Sequence, residues 1–231
     1  MTATLSPSII CMDFTRFAEQ IRGMDEFVSM YHVDVMDAHF VPNLGLYPGV
    51  IRDLKRLSPN TVDCHLMTDE PTFWVPKIIE TGADIVSLHA ETITTGAFSL
   101  IDAIHGAGRK FGVVLNPATP LSAADAYLHL VDELTVMTIE PGFPGGRFIP
   151  EMLGKIREAK RVRDERDLHY KICMDGSCCR ENFPLLRDAG TDIFVVGTAA
   201  LFGQSDDITE ACRCMLRGFQ ISSGKEEFFH E

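Results

Sequence analysis

The stretch that decides the fold runs from residue 61 to residue 88 and reads TVDCHLMTDEPTFWVPKIIETGADIVSL. A short apolar run, Thr61 to Leu66, is followed by an amphipathic segment, Thr72 to Thr81, and then by a second apolar run, Asp84 to Leu88. Pro71 stands where a helix starts, since its missing N–H falls among donors that lack a partner there anyway. Gly82 stands where a helix ends in a left-handed residue. Strand, helix and strand in that order form a βα unit on a parallel sheet.

Working outward, the same alternation fills the chain. Strands are expected at Ser6 to Ile10, Tyr31 to Val35, Thr61 to Leu66, Asp84 to Leu88, Lys110 to Leu115, Glu133 to Thr138, Tyr170 to Met174 and Ile193 to Val196. Helical spacing occupies Phe14 to Met24, Tyr47 to Leu57, Thr72 to Thr81, Ala97 to His105, Leu121 to Leu130, Pro150 to Glu165, Arg180 to Ala189 and Ile208 to Ile221. Sharing 231 residues among eight units leaves about 29 for each, which suits a βα repeat and leaves no room for a second domain. An open doubly wound sheet usually carries a glycine-rich first turn, and here the first strand is followed by Cys11-Met12-Asp13. The expected fold is therefore a single (β/α)8 TIM barrel domain over residues 1–231, with a polar tail from about residue 222 that frays.

Composition removes several function classes. Against 33 Asp and Glu stand 21 Lys and Arg, a net charge of −12, which opposes binding to nucleic acid or to an anionic membrane surface. No apolar run approaches the ~20 residues of a membrane span, and Met1-Thr2-Ala3-Thr4 lacks the basic start of a signal peptide. The seven cysteines include no CxxC pair and fit reduced thiols in a cytoplasmic protein rather than a zinc cluster.

In a barrel, chemistry belongs at the C-terminal ends of the strands. Within Tyr31-His32-Val33-Asp34-Val35-Met36-Asp37, strand alternation places His32, Asp34 and Met36 on one face and the valines on the other. The valines suit the helix side, so His32 and Asp34 point inward, where each needs a partner. The third strand adds His65 and the seventh adds Asp175. Taken singly, a strand histidine is usually core and a strand-end aspartate often caps a helix. Two imidazoles and two carboxylates at one mouth form a mixed N/O set for a single divalent ion: Zn, Mn, Fe or Co, with Mg as a further candidate.

Further residues carry a family resemblance. Ser6-Pro7-Ser8-Ile9, His32 to Asp37, His39-Phe40-Val41-Pro42-Asn43, His65-Leu66-Met67, Val136-Met137-Thr138, Pro141-Gly142-Phe143, Asp175-Gly176 and Val196-Gly197-Thr198 resemble the ribulose-phosphate 3-epimerase family over nearly the whole chain. Cys11-Met12-Asp13, Asp63-Cys64-His65, Glu91-Thr92-Ile93, Phe148 to Leu153 and Asp175-Gly176-Ser177-Cys178 resemble its D-allulose-6-phosphate 3-epimerase branch more than its pentose branch.

The resemblance implies a metal-dependent isomerase that inverts C3 of a ketose phosphate through an enediolate. Asp34 and Asp175 would be the two acid/base groups, and His32, Asp34, His65 and Asp175 the metal ligands. Ser8 and His65 would contact substrate, with Met36, Met67 and Met137 as an apolar lining. The phosphate would be held by backbone N–H groups of the turns after the last strands: Gly142, Phe143, Pro144 and Gly145; Asp175, Gly176 and Ser177; Gly197, Thr198 and Ala199. Departures from the family pattern fall at Ala38, where glycine is usual, at Pro144 and Arg147 in the phosphate loop, and at Glu140, where pentose enzymes carry Asn. His39, His89 and His105 are left outside the metal set.

The expected reaction interconverts D-allulose 6-phosphate and D-fructose 6-phosphate, with D-ribulose 5-phosphate epimerisation as the alternative. A sugar-phosphate binder without turnover is the competing class, and the presence of both aspartates argues against it. A lyase or decarboxylase barrel would want a lysine at the mouth, where none is found. The family also implies a homodimer or larger assembly.

Overall fold

The computed structural model describes residues 3–220. Eight parallel strands form one sheet: β1 (Thr4–Pro7), β2 (Met30–Met36), β3 (Thr61–Met67), β4 (Ile85–His89), β5 (Lys110–Leu115), β6 (Glu133–Met137), β7 (Lys171–Asp175) and β8 (Ile193–Val196). Continuous pairing runs β1-β8-β7-β6-β5-β4-β3-β2, and a single bridge from Ser8 to His32 brings the two edges together. The ring is thus a nearly closed barrel, as the sequence leads one to expect.

Alternation divides each strand between two environments. Val33 and Val35 of β2, Cys64 and Leu66 of β3, and Val86 and Leu88 of β4 are buried in the continuous core between sheet and helices. Complete burial of such side chains stabilises by roughly 1.5–3 kcal/mol each. The inner faces carry a smaller apolar layer, Met30, Ile85, Cys173, Ile193 and Val195, below a polar one.

Seven α-helices cover the ring among the described residues: α1 (Phe17–Met24), α2 (Gly49–Leu57), α3 (Pro71–Thr81), α4 (Ala97–Gly106), α5 (Met152–Glu165), α6 (Phe183–Ala189) and α7 (Ile208–Phe219). Pro71 opens α3, and Gly82 closes it with φ of 93°. The expected helix over Leu121 to Leu130 is instead two 3-10 turns, Leu121–Ala124 and Leu128–Leu130. Its buried residues Leu121, Ala124 and Tyr127 recur every third position, a spacing that serves three residues per turn as well as 3.6.

Other boundaries move for local reasons. β1 ends at Pro7, and the apolar residues after it enter a 3-10 turn, Ile9–Cys11, with Ile9 fully buried. The segment expected to start a helix at Phe14 opens with a 3-10 turn capped by the Asp13 carboxylate, which accepts from the Thr15 N–H at 2.9 Å. α6 starts at Phe183 rather than Arg180, with a proline in its first turn. Ile221 and the expected frayed tail lie outside the described residues.

Glu133 is the odd member of the inner layer. It is buried on β6, its Oε2 has no hydrogen-bond partner of good geometry, and Oε1 has a long contact of 3.4 Å from Thr135 Oγ1, with the Cys173 thiol nearby. Burial, with the negative charge of Asp63 adding to it, pushes its carboxyl up to about 8 from an ordinary 4.5. Between those two values the folded chain keeps a proton that the unfolded chain has released, so stability falls as pH rises through that window. Glu133→Gln is neutral throughout. Its gain in Tm over the parent should therefore grow from pH 5 to pH 8, by about 2–4 °C per kcal/mol recovered. Melting curves of both proteins at the two pH values check this, and an offset equal at both would refute it.

Candidate metal centre and pocket

Strand register gathers the inward donors. Asp34 on β2 pairs with His65 on β3, so their side chains leave adjacent strands at the same level and on the same face. His32 lies two residues below Asp34 on that face, and Asp175 ends β7. His32 and His65 are buried, as is Asp34, while the Asp175 side chain retains 14% exposure at the mouth.

The donor atoms form a compact group. His32 Nε2 lies 3.3 Å from His65 Nδ1, 3.4 Å from Asp34 Oδ1 and 3.6 Å from Asp175 Oδ2. His65 Nδ1 lies 3.3 Å from each of those two carboxylate oxygens. One ligand atom from each of the four residues falls within 4.8 Å of all the others. Four ligands held about 2.0–2.1 Å from a common centre in a tetrahedron are about 3.4 Å apart, so the cluster has the dimensions of a divalent-ion site. Its two nitrogens and two oxygens suit a borderline ion.

Electrostatics within the cluster are strongly coupled. Burial alone would lower both imidazoles, but the Asp34 and Asp175 carboxylates outweigh it, holding His32 well above its usual value and His65 at about 9. Burial would likewise raise the two carboxyls, yet the imidazoles drive Asp34 and Asp175 below the ordinary range. Ser8, just beyond β1, donates its hydroxyl to Asp34 Oδ2 at 2.7 Å and fixes that carboxylate's second oxygen.

Above this floor opens a pocket of about 360 Å³, within the range of small-molecule sites. Met36, Met67 and Met137 line it, together with Asp34, Asp175 and Ser8. Its far side is made by Gly142 to Gly145, Gly176 and Ser177, and Gly197 to Ala199, so these expected substrate contacts face one space. His32 and His65 lie beneath the lining rather than in it.

Two glycines shape that far wall. Gly142 has φ of 112° and a Cβ there would stand 3.0 Å from Val41; Gly176 has φ of 113° and a Cβ would meet Ile139 at 2.5 Å. After β8 the chain turns through a short π-helix, Thr198–Phe202, whose first two residues line the pocket.

The departures noted in the sequence also find places. Ala38 adopts φ of 63°, the left-handed conformation a glycine would take without strain. Ser177 adopts φ of 50° and donates its hydroxyl to the Gly146 carbonyl. Pro144 lines the pocket, whereas Glu140 and Arg147 are exposed outside that lining. The His39 side chain is 76% exposed, and His105 sits 3.0 Å from Asp132 on the surface.

Several participants carried no role in the sequence reading. Asp63 lies behind His32, its Oδ2 2.8 Å from Nδ1 in an off-axis contact and its Oδ1 accepting from Ser87 Oγ at 2.6 Å. Gly112 leaves the room for Ser87, since a Cβ there would lie 2.1 Å from its hydroxyl. His89 sits behind His65, with the two Nε2 atoms 2.8 Å apart. Period-two alternation from His65 would have flagged Asp63, and the same count along β4 would have flagged Ser87 and His89. Ile10, Cys11, Ile139, Pro141, Cys178 and Val195 complete the pocket wall.

Comparison with known proteins agrees with this geometry. The sequence profile of the ribulose-phosphate 3 epimerase family matches residues 4–202. The chain is 39% identical over 202 residues to ribulose-phosphate 3-epimerase of Mycobacterium bovis, covering 87% of both proteins. It is 37% identical over 206 residues to the Bacillus subtilis protein of that name, covering 87% of this chain and 93% of that one. Among solved structures, 3-hexulose-6-phosphate synthase from Salmonella typhimurium superposes with a TM-score of 0.67 at 17% identity over 94% of this chain and 98% of that one. The tryptophan synthase alpha-subunit of Pyrococcus furiosus does so with 0.69 at 14% identity, over 95% and 98%. These two share the barrel fold. A barrel whose strand ends gather two histidines and two aspartates, and whose sequence matches this profile almost from end to end, belongs to the ribulose-phosphate 3-epimerase family.

Proposed function

We propose that this chain inverts C3 of a ketose phosphate, with Asp34 and Asp175 as the two acid/base groups and His32, Asp34, His65 and Asp175 holding one divalent ion. The observation that carries the reading is the set of four donor atoms lying within 4.8 Å of one another at the base of the pocket. When bound there, the ion would supply Lewis-acid polarisation of the substrate carbonyl.

The chain's own residues account for the rest. Asp34 comes from β2 and Asp175 from β7, three places apart round the ring, so a carbon between them is approached from two sides. Both carboxyls are held below the ordinary range, so either is ionised and ready to accept the C3 proton. The other, which takes up a proton from solvent at the mouth, returns it to the opposite face of the enediolate while the first gives its proton up to solvent, and the reverse reaction exchanges their duties. Met36, Met67 and Met137 exclude water beside the reacting carbon. The phosphate is received by backbone N–H groups of the loops after β6, β7 and β8, with no cationic side chain in the lining.

Within the family we propose a ketohexose 6-phosphate as substrate, D-allulose 6-phosphate giving D-fructose 6-phosphate. The residues that support this lie at Cys11 to Asp13, Asp63 to His65, Glu91 to Ile93, Phe148 to Leu153 and Ser177-Cys178. The second reading is D-ribulose 5-phosphate, supported by the names of the Mycobacterium bovis and Bacillus subtilis relatives. We place the enzyme in the cytoplasm as a homodimer or larger; its seven free thiols suit a reducing compartment, and the assembly follows from the family resemblance.

Three measurements test these statements. Asp34→Asn and Asp175→Asn should each lower kcat/KM by about 10²–10⁴-fold, and the double variant should abolish deuterium uptake at C3 from heavy water. Sugar-phosphate binding without any exchange in metal-loaded parent protein would instead make the chain a binder. Side-by-side turnover should favour the hexose phosphate; a pentose preference above about tenfold, ~1.4 kcal/mol, reverses the order of substrates. Because the neighbouring carboxylates hold His32 above the ordinary histidine range and His65 at about 9, zinc binding to metal-free protein at pH 7 should release at least one proton and tighten as pH rises. Calorimetry in buffers of different ionisation enthalpy reads that number, and zero release would refute the assignment of these imidazoles as ligands.

A further inference from the structure

His65 must use both ring nitrogens if it serves the metal centre. Its Nδ1 faces Asp34 and Asp175, and its Nε2 lies 2.8 Å from Nε2 of His89. An imidazole that gives its Nδ1 lone pair to a cation keeps its proton on Nε2, so His65 has to donate to His89. His89 then has to accept at Nε2, which forces its own proton onto Nδ1. On that side lies Glu91 Oε2, 3.4 Å away, and a carboxylate can only accept.

Other contacts hold the two outer members in place. Glu91 Oε1 accepts the Asn116 N–H at 3.1 Å and the Thr119 hydroxyl, both in the loop after β5. The His89 ring is wholly buried, between Phe40 at a centroid distance of 4.4 Å and His65 at 5.0 Å. Neither His89 nor Glu91 lines the pocket, so neither contacts substrate.

We propose that Glu91, acting through His89, is a positioning residue that fixes the tautomer of His65 and so presents Nδ1 as a lone-pair donor to the metal. The loop after β5, remote from the reacting carbon, thereby takes part in ion affinity through Asn116 and Thr119. This rests on the metal-centre reading given above and adds two residues to it.

The test uses full-length protein loaded with zinc, a diamagnetic ion, and long-range ¹H–¹⁵N correlation spectra of the imidazoles. In the parent, His65 is expected as the Nε2–H form and His89 as the Nδ1–H form; His89 in the Nε2–H form overturns the proposal without any mutation. In Glu91→Ala, His89 should lose its single tautomer and zinc affinity by chelator competition should fall roughly 10–100-fold. Glu91→Gln, which keeps one acceptor oxygen, should recover part of that loss and part of the His89 signature. A Glu91→Ala protein with unchanged melting behaviour, His89 spectrum and zinc affinity also overturns it, leaving the metal centre intact. Failure of the parent to bind zinc, manganese or cobalt would remove the metal centre itself, and the proposal with it.

Discussion

Everything at the mouth of this barrel depends on the register between β2 and β3. Asp34 meets His65 across that pairing, and a slip of one residue would turn Val33 and Val35 inward and send His32 and Asp34 among the helices. The outer core prevents it. Tyr31, Val33 and Val35 on one strand and Val62, Cys64 and Leu66 on the next are all buried against the helix layer. At roughly 1.5–3 kcal/mol for each larger side chain, their burial exceeds any gain from an alternative pairing. Opposite charges brought so deep would be destabilising without partners, and each of the four donors has at least two within 3.6 Å.

Below and above that level the barrel divides labour. The floor is rigid: His32 is backed by Asp63 and Ser87, His65 by His89 and Glu91, and all of these except Glu91 are fully buried. The rim is built from loops, with Phe143 55% exposed and glycines at its turns. Proton transfer at C3 needs only the floor, whereas the length of sugar between C3 and the phosphate is measured by the rim. A family can therefore keep one chemistry while its branches differ in substrate. Ser177 and Cys178 sit on the wall of the pocket and not among the four clustered donors.

The sequence exposed the floor more readily than its supports, for a physical reason. His32, Asp34, His65 and Asp175 are polar residues in short apolar runs, and alternation along a single strand is enough to aim them inward. The roles of Asp63 and Glu91 depend on which residue of another element lies behind the imidazole. That information resides in the cross-strand register and in the room left at Gly112, neither of which a local pattern carries. The eight βα units were legible from the same alternation, and the exception is instructive. Over Leu121 to Leu130 the apolar spacing of three fits an α-helix and a 3-10 turn alike, and packing against the sheet selects two short turns.

Backbone strain follows the same division. Among the described residues, four other than glycine have positive φ: Ala38, Asp167, Ser177 and Gln220. Asp167 and Gln220 stand just past the ends of α5 and α7, where a left-handed residue commonly terminates a helix. Ala38 and Ser177 stand instead in the loops after β2 and β7, the two strands that supply Asp34 and Asp175. Each costs roughly 1–2 kcal/mol in that conformation, and each is held by hydrogen bonds within its own loop and to the loop of another strand. Next to Ala38, the Asp37 carboxylate accepts the His39 N–H at 2.9 Å and the Thr68 hydroxyl at 2.5 Å. The Ser177 hydroxyl bonds the Gly146 carbonyl, and its own carbonyl accepts from Asn182 Nδ2 at 2.6 Å. Strain at these two positions thus falls in the loops that follow Asp34 and Asp175, the carboxylates of the four-donor cluster.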